Sequence, residues 1–412
     1  MDAFSREDRI KLRKLAKKIK EYGQTDENNR RIDLCRRHNM LNTHEPVLMV
    51  FPEGAWKEIL EPLLSCEGET ARQFEWWLST RVYAWENFHD DLPIDDSWTV
   101  TKMITGQDDW GVPVKRSERL KDDGSWGFVQ TFEALSDFKK LRAPVVTYDE
   151  KGTTEYYDAM NELFGDIIPV RLKGIQYIAF HFSKLYSDFR GLEQMFFDII
   201  DEPDAVREAM SIFKEGYDSL LDQYEKYNLL SLNNDVSYHS SGGNGYTDEL
   251  PAGGFDPGHV RLRDMLGSAE CQEFTVVSPE LHREFALEYE IPLLNRLGLT
   301  GYGCCEDLTR KLGDVMKIPN LRRISISPWA DVQKCAEIIQ DKYVFSWKPH
   351  PAVMTADIDE PGLRMQIREV LSRTENCFPE IILKDTHTCG NAPERFNLWS
   401  RIVREEIRNG TM

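Results

Sequence analysis

The sequence predicts an α/β chain built as a (β/α)8 barrel of the TIM type, with a mainly helical N-terminal extension. Three observations point there. From Ile167 onward, short apolar runs alternate with amphipathic stretches. Four β-α units follow one another at the C-terminal end, which implies parallel strands joined by right-handed crossovers. No Gly-x-Gly-x-x-Gly opens a helix after a strand, and no phosphate loop is present, so an open nucleotide-binding sheet has no support.

The elements follow in order. Arg6 to Tyr22 is a basic amphipathic helix pattern, and Ala71 to Asn87 carries Phe74, Trp77, Leu78 and Val82 at helical spacing. Between them, Pro46 to Phe51 is a buried strand. The run from Asp90 to Lys121 is rich in turn residues and is punctuated by Trp98 and Trp110. Residues 1–120 are therefore expected to supply a first strand and a helical cover, and residues 121–412 the barrel itself.

In the barrel segment, Pro169 to Leu172 is a weak strand, followed by a helix from Asp204 to Tyr227 with Val206, Met210, Phe213, Tyr217, Leu220 and Tyr224 on one stripe. Leu229 to Leu232 is a short strand that leads into the glycine-rich loop around Gly242, Gly243 and Gly245. Phe274 to Val277 is another, with Ser278 and Pro279 opening a helix. Strand 299–305 then leads to helix 306–317, and strand 323–327 to a helix near Asp331. Strand 343–348 leads to a helix at Pro361, and strand 380–385 to the helix Pro393 to Ile407.

Composition sets the outer limits. A chain of 412 residues, 41% hydrophobic, can bury a full core. A net charge of −19 argues against nucleic acid and against an anionic membrane surface. No apolar run reaches the length of a membrane span, and the start lacks a signal-peptide pattern. The eight cysteines are irregularly spaced, so reduced thiols in a cytoplasmic setting are expected rather than a disulfide framework.

Those thiols matter because of where they fall. Cys305, His350 and Cys389 each follow one of the C-terminal strands, the end at which barrel enzymes keep their chemistry. Two thiolates and an imidazole there could hold one zinc ion with a position open for substrate. His387 and Glu306 are alternative third ligands, and Cys304 adjoins Cys305. Tyr302, Tyr246, Trp329 and Trp347 lie in or beside the same loops and could wall a flat pocket, while Asp235 and His239 could bond substrate hydroxyls. Each also has an ordinary reading as a packed or solvated residue.

The segment from Phe274 to Ile407 resembles the uroporphyrinogen decarboxylase superfamily, and within it the zinc-dependent, corrinoid-linked methyltransferases. Those enzymes carry a His-x-Cys pair at one strand end and a Cys-Gly turn, often followed by Pro-Glu, at the last. Cys389-Gly390-Asn391-Ala392-Pro393-Glu394 is similar to the second element and Cys305 to the cysteine of the first. The histidine of the first is replaced by Gly303. The stretches 302–308, 324–331, 52–56 and 245–251 resemble the subgroup that begins O-demethylation of methoxylated aromatics.

The resemblance implies a methyltransferase that moves a methyl group from a small methoxylated, aromatic compound to the Co(I) corrinoid of a partner protein. Zinc would act as Lewis acid on the departing oxygen. The chain itself shows no cobalamin-anchoring Asp-x-His-x-x-Gly run, and no adenosyl donor is expected. Two rivals stand beside this reading, a decarboxylase of a tetrapyrrole-like acid and a non-catalytic barrel that binds a small ligand. Homodimer formation is left open.

Overall fold

The computed structural model describes residues 4–118 and 127–410. The expected boundary between residues 120 and 121 lies outside the described residues. In chain order, the strands of the main sheet are Val47–Val50 (β1), Ala179–Phe180 (β2), Leu266–Ala269 (β3), Leu299–Tyr302 (β4), Leu321–Ile326 (β5), Val344–Trp347 (β6) and Phe378–Leu383 (β7). Their order across the sheet is β1-β7-β6-β5-β4-β3-β2, and every neighbouring pair is parallel.

The expected C-terminal β-α units are present. Arg323 pairs with Val344 and Ile326 with Trp347, in parallel, because the helix Val332–Ile339 carries the chain back across the sheet. Its start is fixed by the Asp331 side chain, which accepts from the Lys334 N–H. Asp359 caps Glu360–Arg373 in the same way. Side chains alternate along the strands. Ile324, Ile326, Trp347, Ile381 and Leu383 join the main core with Cys335, Ile367 and Trp399 of the helical layer. The opposite face carries Arg323, Ser325, Ser346, Glu380 and Lys384, all buried.

A short hairpin, Tyr238–His239 with Gly243–Asn244, packs on that polar face. Two glycines make the approach feasible. A Cβ at Gly243 would lie 2.3 Å from Cζ of Arg323, and one at Gly242, whose φ is +109°, would lie 2.8 Å from Ile382.

Among the described residues the ladder has two ends, and no pairing joins β1 to β2. At the β1 end, carboxylates take the place of a neighbouring strand. The Leu48 N–H donates to Asp91 at 2.9 Å, and the Val50 N–H donates to Asp90 at 3.3 Å. Near the β2 end, Ile175 bridges to Leu230. The expected strand at 169–172 is Val170–Lys173, but it pairs with Trp98–Thr101 in a separate two-stranded sheet. That pair packs with the helices Arg6–Gly23, Glu69–Asn87 and Glu150–Phe164 around a second core containing Leu12, Phe74, Leu78, Trp98 and Phe164.

Three expected elements differ. The strand expected at 229–232 is reduced to the single bridge of Leu230 with Ile175. Phe274–Val277 forms turns, and the strand lies earlier, at Leu266–Ala269. That run has no β-branched residue to announce it. A Cβ at Gly267 would sit 2.4 Å from a Leu297 methyl and 3.1 Å from the Ile178 carbonyl oxygen, so the backbone is closely approached there. The helix expected at 306–317 is confined to Leu312–Val315. Among the described residues, no helix is long and apolar enough to cross a membrane.

Candidate functional site at the sheet's C-terminal ends

The C-terminal ends of β2, β3, β4 and β7 bring together a polar group. His181 follows β2, Glu270 follows β3, Cys304, Cys305 and Glu306 follow β4, and Lys384 with Asp385 follow β7. Parallel strands force this convergence, since all their C-terminal ends lie on one side of the sheet.

His181 Nδ1 lies 2.7 Å from Glu270 Oε1. Burial pulls the imidazole pKa down, but the hydrogen bond and charge of Glu270 outweigh it, and the net shift is upward. The other Glu270 oxygen accepts from the Gln272 N–H at 3.1 Å, which fixes the carboxylate. With Nδ1 held by Glu270, Nε2 is the nitrogen left to meet a substrate.

Glu306 ties two strand ends together. It accepts from the Cys304 N–H at 2.7 Å and from the Cys271 N–H at 3.1 Å. Its burial, with Glu270 nearby, raises its pKa to about 7. Cys304 Sγ lies 3.3 Å from Ser241 Oγ and 3.6 Å from Cys305 Sγ. Cys304 is the more acidic of the two thiols, through its contact with Cys305 and the field of Lys384, and Cys305 is pushed up. Lys384 Nζ is 3.1 Å from Asp385 and 3.4 Å from Ser241 Oγ. Tyr177 and Tyr238 stand beside this group with ring centroids 6.1 Å apart, and Phe51 meets Tyr238 edge-on.

A cavity of about 830 Å³ runs along the free edge of β2, lined by Trp110, Tyr177, Phe180, His181, Asp188 and Tyr217 among others. Its size and aromatic lining suit a small organic molecule. One Asp188 oxygen is bonded by Lys184 at 2.5 Å, and the other is buried without a partner. His181 is shared between this cavity and the thiol group.

The three expected zinc ligands keep separate company. Cys305 approaches Asp385 at 3.6 Å. Cys389 is buried, and its thiol donates to Glu58 Oε2 at 3.1 Å. The same oxygen accepts from the Cys389 N–H at 3.0 Å and the Asn391 N–H at 2.7 Å. Burial and Glu58 push the Cys389 thiol up to about 11. His350 is exposed, accepts from the Ala352 N–H, and meets Trp329 edge-on at 5.0 Å. Among the described residues, no three His, Cys, Asp or Glu side chains stand together as a metal site. As the side chains stand, they do not fit a zinc ion. The alternatives fare no better, since Glu306 is occupied by backbone amides and His387 is exposed.

The expected substrate contacts are also dispersed. Asp235 pairs with Lys173 at 2.5 Å. His239 is buried with Nε2 unpartnered, and it packs against the Gly301 position of β4. Tyr246 packs with Leu34, Val47 and Ile382. Trp329 is 65% exposed near His350, whereas Trp347 lies in the main core on the helix-facing side of β6.

Sequence reading missed His181, Glu270 and Lys384. Glu270 was hidden because its strand lacks a β signature. Lys384 stood in view at the end of an evident strand, and position alone was the signal available.

No family model matches the chain, and no curated protein does. A search of solved structures finds a methyltransferase from Methanosarcina mazei at 11% identity and a TM-score of 0.36, covering 66% of this chain and 73% of that one. Likeness at that level assigns this chain neither a family nor an activity.

Proposed function

We propose that the chain is a methyltransferase that takes the methyl group of a small methoxylated aromatic compound and delivers it to a reduced corrinoid on a separate protein. The observation that carries the reading is His181, on the wall of the aromatic-lined cavity and with Nδ1 2.7 Å from Glu270. The sequence resemblance supplies the reaction class, and the geometry supplies a way to run it.

Methyl ethers resist cleavage because an alkoxide or phenoxide leaves poorly at neutral pH. Nucleophilic attack at the methyl carbon breaks the C–O bond and leaves the electron pair on oxygen. An imidazolium at His181, kept protonated by Glu270, donates from Nε2 to that oxygen, and the product is the phenol. Positioned acids of this kind contribute roughly 10²–10⁴-fold. Tyr177, Trp110 and Tyr217 hold the ring. The resemblance also brings zinc, whose chemistry would be Lewis-acid activation of the same oxygen. With Cys305, His350 and Cys389 apart, no step here is routed through it.

The test is spectroscopic. The protein is incubated with a panel of methoxylated aromatics and a reduced corrinoid protein, and loss of the Co(I) absorbance is followed, with zinc measured on the same preparation. Methylation of the corrinoid that falls with His181→Phe supports the reading. Absence of transfer from every donor, or demethylation at full rate without corrinoid, refutes it.

A further inference from the structure

The mouth of the sheet carries a feature that the methyl-transfer reading does not use. All eight cysteines are free, six are buried, and the two that are not are the neighbours Cys304 and Cys305. In an extended strand, adjacent side chains point to opposite faces. Here β4 has ended at Tyr302, and Gly303 takes a φ of +92° that only glycine adopts at no cost. The chain bends through 304–306, and Glu306 pins the bend by accepting the Cys304 N–H. Both thiols therefore fall on one side, with their sulfurs 3.6 Å apart.

We propose that Cys304 and Cys305 form a redox-active vicinal dithiol that a low-molecular-weight disulfide converts to a ring disulfide at the mouth of the sheet. One thiol attacks a sulfur of the oxidant, and a mixed disulfide forms as the first small thiol leaves. The neighbouring thiol attacks the protein sulfur of that mixed disulfide, the ring S–S bond forms, and the second small thiol leaves. The two protein thiols lose two electrons and two protons, and one disulfide becomes two thiols.

Geometry favours a reversible bond over a structural one. Consecutive Cα atoms are about 3.8 Å apart, below the roughly 4.4–6.8 Å that relaxed disulfides span. Strained, accessible disulfides have the more oxidising potentials and are the labile ones. Closure would also draw Cys305 away from Asp385, which it now meets at 3.6 Å. The sulfurs sit beside Ser241 and Lys384, so the change reaches the polar group of the mouth directly.

The experiment uses the native, reduced full-length chain treated with glutathione disulfide, then alkylation and peptide mapping by mass spectrometry. The peptide holding both residues is expected to lose two hydrogens, resist alkylation, and recover with dithiothreitol. Cys304→Ser and Cys305→Ser, each checked for folding by circular dichroism, are expected to stop at a glutathione adduct on the remaining thiol. Three wild-type outcomes would overturn the proposal: a persistent glutathione adduct, a link from this peptide to another cysteine, or two thiols that stay alkylatable. None of these readouts depends on methyl transfer.

Discussion

Arg323 of β5 and Glu380 of β7 meet on the polar face of the sheet across the intervening strand β6, with the guanidinium Nε 2.7 Å and Nη2 3.1 Å from the two carboxylate oxygens. Their side chains are 1% and 0% exposed. Arg323 also donates to Asn39 Oδ1 at 2.7 Å, so the pair fastens the helix Asp26–Asn39 to the sheet.

Removing one partner strands the other. Glu380→Ala is expected to destabilise the fold by about 3–5 kcal/mol, read from urea unfolding. Burial opposes ionisation of Glu380, but Arg323 prevails and holds its pKa near about 2. A depressed carboxylate contributes stability above its unfolded value, roughly 4.3, and loses it as pH falls through the folded value. The wild-type advantage over Glu380→Ala should therefore shrink between those limits.

His181 gives a pH signature of the opposite sign. Its pKa is raised, so the protonated form persists above the ordinary histidine range of about 6.5. Methyl transfer is expected to fall as pH rises through the raised folded pKa, above the ordinary range. Glu270→Gln should move the fall to lower pH, and His181→Phe should lower kcat by about 10²–10⁴-fold. A profile that Glu270→Gln does not displace would remove His181 from the role of acid.

Glu58 holds the Cys-Gly turn. Its carboxylate accepts from Thr388 Oγ1, the Cys389 N–H and thiol, and the Asn391 N–H. Glu58→Ala leaves these donors without their acceptor, at a cost of about 1–3 kcal/mol. It should also raise the thiols that a native-state labelling reagent reaches, with Cys389 joining Cys304 and Cys305.

Lys348 is buried and donates to Ser346 O at 3.0 Å and Oγ at 2.7 Å. Burial lowers its pKa to about 7. A base depressed on folding binds fewer protons when folded, so stability rises with pH from about 7 toward the unfolded value near 10.4. Lys348→Met should accordingly raise the melting temperature more at about pH 6 than at about pH 9. Equal gains at both would show that Lys348 keeps its proton in the fold up to about pH 9, and that burial does not depress it.

How much was legible depended on what kind of contact decides each element. Strands such as Ile324–Ile326 and Val344–Trp347 bury one face under helices, and their apolar runs show it. The strand Leu266–Ala269 passes close beneath Leu297 at Gly267, a neighbour that no local pattern links to it. The site divides in the same way. Cys305 and Cys389 were conspicuous by residue type, yet Cys389 is engaged by Glu58, far away in sequence. His181 and Glu270 follow strands that the sequence scarcely marks, and only the parallel pairing of β2 with β3 brings them within 2.7 Å.

The partner of β1 is the last strand of the sheet, with Val50 opposite Leu383. During synthesis the ribosome must therefore add nearly all of the chain before β1 can pair, a delay on the order of tens of seconds at typical elongation rates. Asp90 and Asp91 emerge soon after β1 and occupy the amides of its other edge. In the finished sheet those two amides are taken, so this edge has no free donor at Leu48 or Val50 to offer a stray strand.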